Sequence, residues 1–232
     1  MDSKLTNTKP NMHISVAQKK VVKRSGLSLL VFALLVIAFI ALAREIRENE
    51  TLGFDNVVLL SINGYSSPQA DNWVVALTDL GGLYGVPIIT IGLASLFWIK
   101  NKKSRVLKLL IGVGGAAVLS VVLKLVFERD RPELWERLVT ENSFSFPSGH
   151  AMASSAIGAS LVLALWNTKY RVLSIIISTT YVLLVAFSRL YLGVHFPTDI
   201  LAGWLVSVSW VILVNYIFKR TNKDQKSKDN SK

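Results

Sequence analysis

Six long apolar stretches, separated by short charged segments, dominate the pattern of this chain. They fall at residues 26–43, 73–99, 106–127, 148–166, 172–188 and 197–218. Uncharged apolar runs of about 18 residues or more read as membrane-spanning helices. The pattern predicts an all-α, polytopic integral membrane protein with six transmembrane helices in one domain, residues 26–218. A basic tail at 1–25 precedes it and a charged tail at 219–232 follows. The first stretch ends in Ala41-Leu42-Ala43, the shape of a signal-peptidase site, but it is long for a signal core and is read as an uncleaved helix. Between the first two stretches, Phe54, Val57, Val58, Ile62 and Tyr65 recur at helical spacing. Both a short amphipathic helix on the outer surface and an ordered loop packed on the helix ends fit that spacing.

Composition agrees with the pattern: 51% of residues are hydrophobic and the mean hydropathy is +0.44. The net charge of +11 raises the question of nucleic acid. The charges sit between apolar runs and in the tails, with no repeated basic-aromatic surface, so no nucleic-acid partner is expected. Their distribution reads instead as topology. With the N-terminus inside, the two tails and the second-to-third and fourth-to-fifth loops carry 19 of the 26 Lys and Arg residues. Both termini are therefore expected in the cytoplasm. The other seven are Arg44, Arg47, Lys124, Arg129, Arg131, Arg137 and Arg189. Several of these are outward charges that the topology rule leaves unexplained, which makes them candidates for function. Trp73, Trp98 and Trp166 fall at predicted span ends, as an aromatic belt does. Ala151, Ser155 and Ala159, or Ser154 and Gly158, recur at four-residue spacing and suggest close helix packing. The chain has no cysteine, which excludes disulfides, thiol chemistry and Cys-ligated zinc.

Three stretches at the predicted outer face carry candidate chemistry. The first holds Lys124 and then Arg131-Pro132; the second is Pro147-Ser148-Gly149-His150; the third holds Ser188-Arg189, His195 and Asp199. Each has a plain reading alone: a snorkelling cation, a helix start, a hydrogen-bonded histidine. Together they gather three cations and two histidines at one membrane level, and such a cluster calls for an anion. The fourth and sixth spans both begin at this face, so free N–H groups and positive dipole ends are expected to favour phosphate there. Gly149 allows the backbone to approach a ligand closely. Asp199, four residues after His195, is placed to reach back to that imidazole and make its other nitrogen a better nucleophile or base. His150 has no such carboxylate nearby in sequence. Two histidines in different settings suggest two roles, one nucleophile and one acid.

In this order the three stretches, 124–199, resemble the signature of the type 2 phosphatidic acid phosphatase superfamily. The six-span layout and the Leu-Thr-x-Leu-Gly-like stretch at 77–81 are similar to its bacterial membrane members. The resemblance implies that His195 attacks phosphorus and forms a phosphohistidine, that Asp199 orients it, and that His150 protonates the leaving oxygen and then helps activate water. Lys124, Arg131, Ser148, Gly149 and Arg189 would hold the phosphate oxygens. Fixed cations would supply the charge stabilisation, with no metal and no cofactor. The implied substrate is a lipid phosphate in the membrane, whether undecaprenyl diphosphate, phosphatidylglycerophosphate or phosphatidate, met at the extracytoplasmic face. No required protein partner is evident. The alternative is a non-catalytic membrane protein that binds or transports an anion or lipid headgroup. His150, His195 and Asp199 speak against it, since binding needs cations but not a nucleophile with its orienting carboxylate.

Overall fold

A computed structural model describes residues 16–229, with side chains from 26 to 221. The parts of the expected tails at 1–15 and 230–232 lie outside the described residues. All regular structure among the described residues is helical: α1 (Val16–Arg47), α2 (Leu52–Asn63), α3 (Pro68–Thr78), a 3-10 turn (Asp79–Gly81), α4 (Gly85–Ile99), α5 (Lys103–Phe127), α6 (Gly149–Leu165), α7 (Arg171–Tyr191) and α8 (Pro197–Asp229). Helices α1 and α8 extend into the segments expected as tails. The open question at 54–65 resolves as a helix, α2.

Four segments are long and apolar enough to cross a membrane: Gly26–Arg47, Lys103–Phe127, Arg171–Tyr191 and Pro197–Thr221. The expected second span is not one straight helix. It is the pair α3 and α4, bent by 49° at the turn between them, which makes a fifth crossing if counted as one. The glycines cause the break. A side chain on Gly81 would collide with Val185 of α7, and one on Gly85 with the backbone at Asp79 and Leu80. The apolar residues Leu83, Tyr84 and Val86 carry the hydrophobic run across the break and hide it in the sequence. Helix α6, expected as the fourth span, has 17 residues. At 1.5 Å per residue it covers roughly 25 Å, somewhat less than a hydrocarbon core of about 30 Å.

Helix α6 is the centre of the bundle. It packs against α5, α7 and α8, while α1 lies along α8 at the edge. Its small residues permit this. Ala151, Ser154, Ser155, Ala156 and Gly158 are all buried, and the Ser155 and Ser207 hydroxyls meet at 2.5 Å. Gly203 of α8 passes so close that a Cβ there would lie 3.0 Å from the Ser148 carbonyl. Lipid tails are as apolar as leucine, so close backbone approach and buried hydroxyl bonds, not exclusion of water, hold such helices together. An apolar core of Phe97, Leu109, Val113, Ala116, Ala156, Ile157 and Val211 fills the other half of the bundle. Trp73, Trp98 and Trp166 face outward, as belt residues do. This packing brings the C-terminal ends of α5 and α7 to the N-terminal ends of α6 and α8, and the connection 128–148 folds over that end.

Candidate active site

His195 sits in the short connection between α7 and α8. Gly193, with φ of +66°, makes the turn before it, and Trp135 packs where a side chain on Gly193 would go. The imidazole is 1% exposed. Its Nδ1 lies 3.4 Å from Asp199 Oδ2, and the Phe196 N–H donates to the same oxygen at 2.9 Å. The other ring nitrogen, Nε2, lies 3.3 Å from Arg131 Nη1. A guanidinium has no acceptor, so that contact requires a bare Nε2. The proton therefore sits on Nδ1, facing Asp199, and the lone pair of Nε2 points into the cationic recess. Burial, then Arg189, Arg131 and Lys124, push the imidazole well below its ordinary 6.5, so His195 is neutral.

The three cations come from three elements. Arg131 follows α5 and is tied by its Nε to the Ser143 carbonyl at 2.7 Å and by Nη1 to the Val194 carbonyl at 2.7 Å. Lys124, in the last turn of α5, donates to the Phe144 carbonyl and, at 3.4 Å, to Ser143 Oγ. Arg189, in the last turn of α7, is 1% exposed. It donates to Thr78 Oγ1 at 2.9 Å, while its Nε, also buried, has no hydrogen-bond partner. A buried donor without a protein partner is costly, so this N–H is open to a further acceptor.

One carboxylate now occupies the recess. Glu141, from the 128–148 connection, pairs with Arg189 and lies 3.5 Å from Arg131 Nη2. Burial opposes its charge, but Arg189 and Arg131 outweigh burial and hold the carboxyl below its usual range. A cleft of ≈650 Å³ leads to this point, lined among others by Ser120, Lys124, Arg131, Glu141 and Phe144. Val121 and Leu125 of α5, also lining it, are 60% and 65% exposed, so the cleft opens on an apolar helix face.

The remaining expected residues divide. Ser148 is fully buried, and its hydroxyl caps α6 by accepting from the Ala151 N–H at 3.4 Å. Gly149 and His150 begin α6, and their N–H groups have no protein partner among the described residues. His150 Nε2 faces Gly82, where a Cβ would lie 3.2 Å away. The start of α8 corrects the expectation of free N–H groups. Its Thr198 N–H is taken by Asp55 Oδ1 at 3.1 Å, and the adjoining Phe196 N–H by Asp199. Of the two helices that start at this site, α6 is the one whose first N–H groups are open among the described residues.

Four residues of the site were not singled out as ligands in the sequence. Thr78 and Glu141 hold Arg189, and Asp55 with Arg129 backs Asp199. Arg129 bridges two carboxylates, Asp199 Oδ1 at 2.6 Å and Asp55 Oδ2 at 2.8 Å. Arg129 left a signal as an outward charge outside the topology rule, and Thr78 lies in the Leu-Thr-x-Leu-Gly-like stretch at 77–81; Asp55 and Glu141 left none.

The chain is similar to known proteins. The PAP2 superfamily profile matches residues 105–223. The chain is 32% identical to phosphatidylglycerophosphatase B of Bacillus subtilis, over 78% of this chain and 91% of that protein. It is 30% identical to an undecaprenyl-diphosphatase of Sulfolobus acidocaldarius, over 83% and 93%. The chain belongs to the PAP2 superfamily. A crystal structure of a transmembrane PAP2 type phosphatidylglycerolphosphate phosphatase from Bacillus subtilis overlays with a TM-score of 0.73 at 30% identity, over 82% of this chain and 96% of that one. Like these PAP2 relatives, this protein is a membrane lipid phosphatase.

The geometry fixes the expected state of His195. The chain has three histidines, so nitrogen NMR of selectively labelled enzyme, with His195→Ala for assignment, can follow each. His195 should titrate well below 6.5 and keep its proton on Nδ1 above that midpoint. A midpoint at or above 6.5, or a proton on Nε2, would refute the placement.

Proposed function

We propose that this PAP2 enzyme cleaves lipid phosphomonoesters or diphosphates at the extracytoplasmic face by two displacements through a phosphohistidine on His195. The observation that carries this is the fixed tautomer: Asp199 on Nδ1 and cations around a bare Nε2. The Nε2 lone pair attacks phosphorus and the bond to the lipid oxygen breaks. The leaving oxygen takes a proton from His150. A water then gives its proton back to His150 and attacks the phosphoenzyme, and the P–N bond breaks to release phosphate and neutral His195. Charge developing on the phosphoryl oxygens is met by Lys124, Arg131, Arg189 and the first N–H groups of α6, at Gly149 and His150. These donors are already fixed by the fold, so little reorganisation is needed in the transition state. Ser148 serves this cradle by capping α6, with its hydroxyl bound to the helix.

The substrate phosphate takes the place of Glu141. Its oxygens then reach both guanidiniums and the unpaired Nε of Arg189. The lipid tails lie along the exposed face of α5, where the cleft opens. Undecaprenyl diphosphate, phosphatidylglycerophosphate and phosphatidate all present a terminal phosphate on an apolar body, and the names of the two relatives favour the first two.

Six crossings are the membrane arrangement we propose. They comprise the four long helices, the bent α3–α4 pair and the central α6, whose shortness is offset by burial among its neighbours. Both termini then lie in the cytoplasm and the site faces outward.

Two outcomes test this reading. With a substrate carrying a good leaving group, such as p-nitrophenyl phosphate, wild type should form an acid-labile, base-stable phosphoryl adduct. His195→Ala should form none and lose turnover by at least about 10⁴-fold. His150→Ala should still form the adduct and accumulate it, because only the second step then needs a proton carrier. Undiminished hydrolysis by His195→Ala would refute the assignment. For orientation, the absence of native cysteine allows single-cysteine labelling. Asn142→Cys should react with a membrane-impermeant maleimide in intact cells, and Asn101→Cys only after the membrane is opened. The reverse pattern would overturn the leaflet but not the chemistry.

A further inference from the structure

Behind His195 and Asp199 lies a second layer of charge that the reaction as written does not use. Asp55 of α2 is fully buried. Its Oδ1 accepts from the Thr198 N–H at 3.1 Å, and its Oδ2 accepts from Thr198 Oγ1 at 2.7 Å and Arg129 Nη2 at 2.8 Å. Arg129 turns its other amino group to Asp199 Oδ1 at 2.6 Å, with Thr198 Oγ1 at 2.9 Å, and its guanidinium stacks over the Phe196 ring at 4.1 Å. One guanidinium is thus held between two buried carboxylates, and one of those carboxylates holds the nucleophile.

We propose that Asp55 and Arg129 are positioning residues for the nucleophile, a clamp that fixes Asp199 against His195 Nδ1. The proposal rests on the phosphohistidine reading above. Asp199 has two oxygens and two tasks. Oδ2 accepts from Phe196 and faces His195, so Oδ1 must be satisfied elsewhere or the carboxylate rotates. Arg129 satisfies it. Arg129 alone would also draw electron density from Asp199 and weaken its hold on the imidazole proton. Asp55 counters this by supplying a second anion to the same guanidinium, so Asp199 keeps its negative charge for His195. The clamp also fixes the start of α8, because Asp55 binds both the N–H and the hydroxyl of Thr198. Helix α2, outside the recognised motifs, thereby becomes part of the machinery that aims the nucleophile. Among the described residues the Asp55 and Arg129 side chains make no hydrogen bond or ion pair with Glu141, Arg131, Lys124 or Arg189, so phosphate binding is expected to survive their loss.

A merely structural role and a positioning role separate in one experiment. Single-turnover transfer from p-nitrophenyl phosphate to His195 is timed, and competitive inhibition by inorganic phosphate, a ground-state ligand, is measured on the same purified, folded full-length samples. Asp55→Asn keeps the shape and removes the charge. It should slow phosphoryl transfer at least about tenfold while inorganic phosphate affinity stays within about twofold. Arg129→Lys keeps a charge but cannot fork between two carboxylates, and it should show the same split. It serves as the second reading should Asp55→Asn yield no folded protein. An unchanged transfer rate in the folded variant, or a loss of transfer matched by an equal loss of inorganic phosphate affinity, would overturn the proposal. If wild type itself forms no phosphohistidine, the underlying reading fails and the clamp with it. Normal phosphohistidine in wild type with unimpaired transfer in both variants would sink the clamp alone.

Discussion

Positive charge held out of water is the constraint on which the site depends. Lys124, Arg131 and Arg189 converge on one imidazole, and the two arginines are almost wholly buried. Such charges are tolerated only when paired and hydrogen-bonded, and removing one partner of a buried pair costs about 3–5 kcal/mol. In this structure Glu141 and a ring of loop carbonyls meet that demand. The pairing is incomplete, as the unpartnered Nε of Arg189 shows. A phosphate brings more oxygens and more charge than one carboxylate, so it competes well for the same donors. Burial, with the same field, keeps His195 neutral, the state that the proposed attack on phosphorus requires.

The fold exists to hold these charges in register. Helix α6 can stand at the centre because its surface is built of small residues, and its open N-terminus then faces the recess. The break between α3 and α4 places Thr78 on Arg189 and Gly82 beside His150. The 128–148 connection has little regular structure, but its carbonyls are fixed by Lys124, Arg131 and the Ser145 bonds to Arg129 and Asp130. Irregular backbone packed against helices persists where its polar groups find partners, and here Lys124, Arg131 and Ser145 supply them.

Much of this was legible in the sequence, for definite reasons. Lys124, Arg131, Arg189, His195 and Asp199 stood out because charge at a membrane level is expensive and needs a purpose. The Asp199 spacing predicted the contact with His195, since a carboxylate in the first turn of a helix can reach back to a residue just before it. Other features were hidden by distance or by pattern. Asp55 lies 74 residues before Arg129, in a segment whose apolar spacing fitted both a surface helix and a loop packed on the helix ends, and neither called for a buried carboxylate. Glu141 sits in a polar loop with no periodicity to place it. The second span read as continuous because hydropathy averages over glycines, while the bend depends on where a missing side chain lets α7 approach. At the start of α8 the dipole argument was sound, but the N–H groups were already taken by Asp55 and Asp199.

In the proposed reaction phosphorus is transferred twice, first to His195 and then to water. Stereochemistry reports this most directly, because each in-line displacement inverts the phosphorus centre. A lipid thiophosphate made chiral with two oxygen isotopes would be hydrolysed in water of the third isotope, and the configuration of the released thiophosphate determined. Two displacements predict net retention. Net inversion would mean that water attacks the substrate in a single step and would contradict the account.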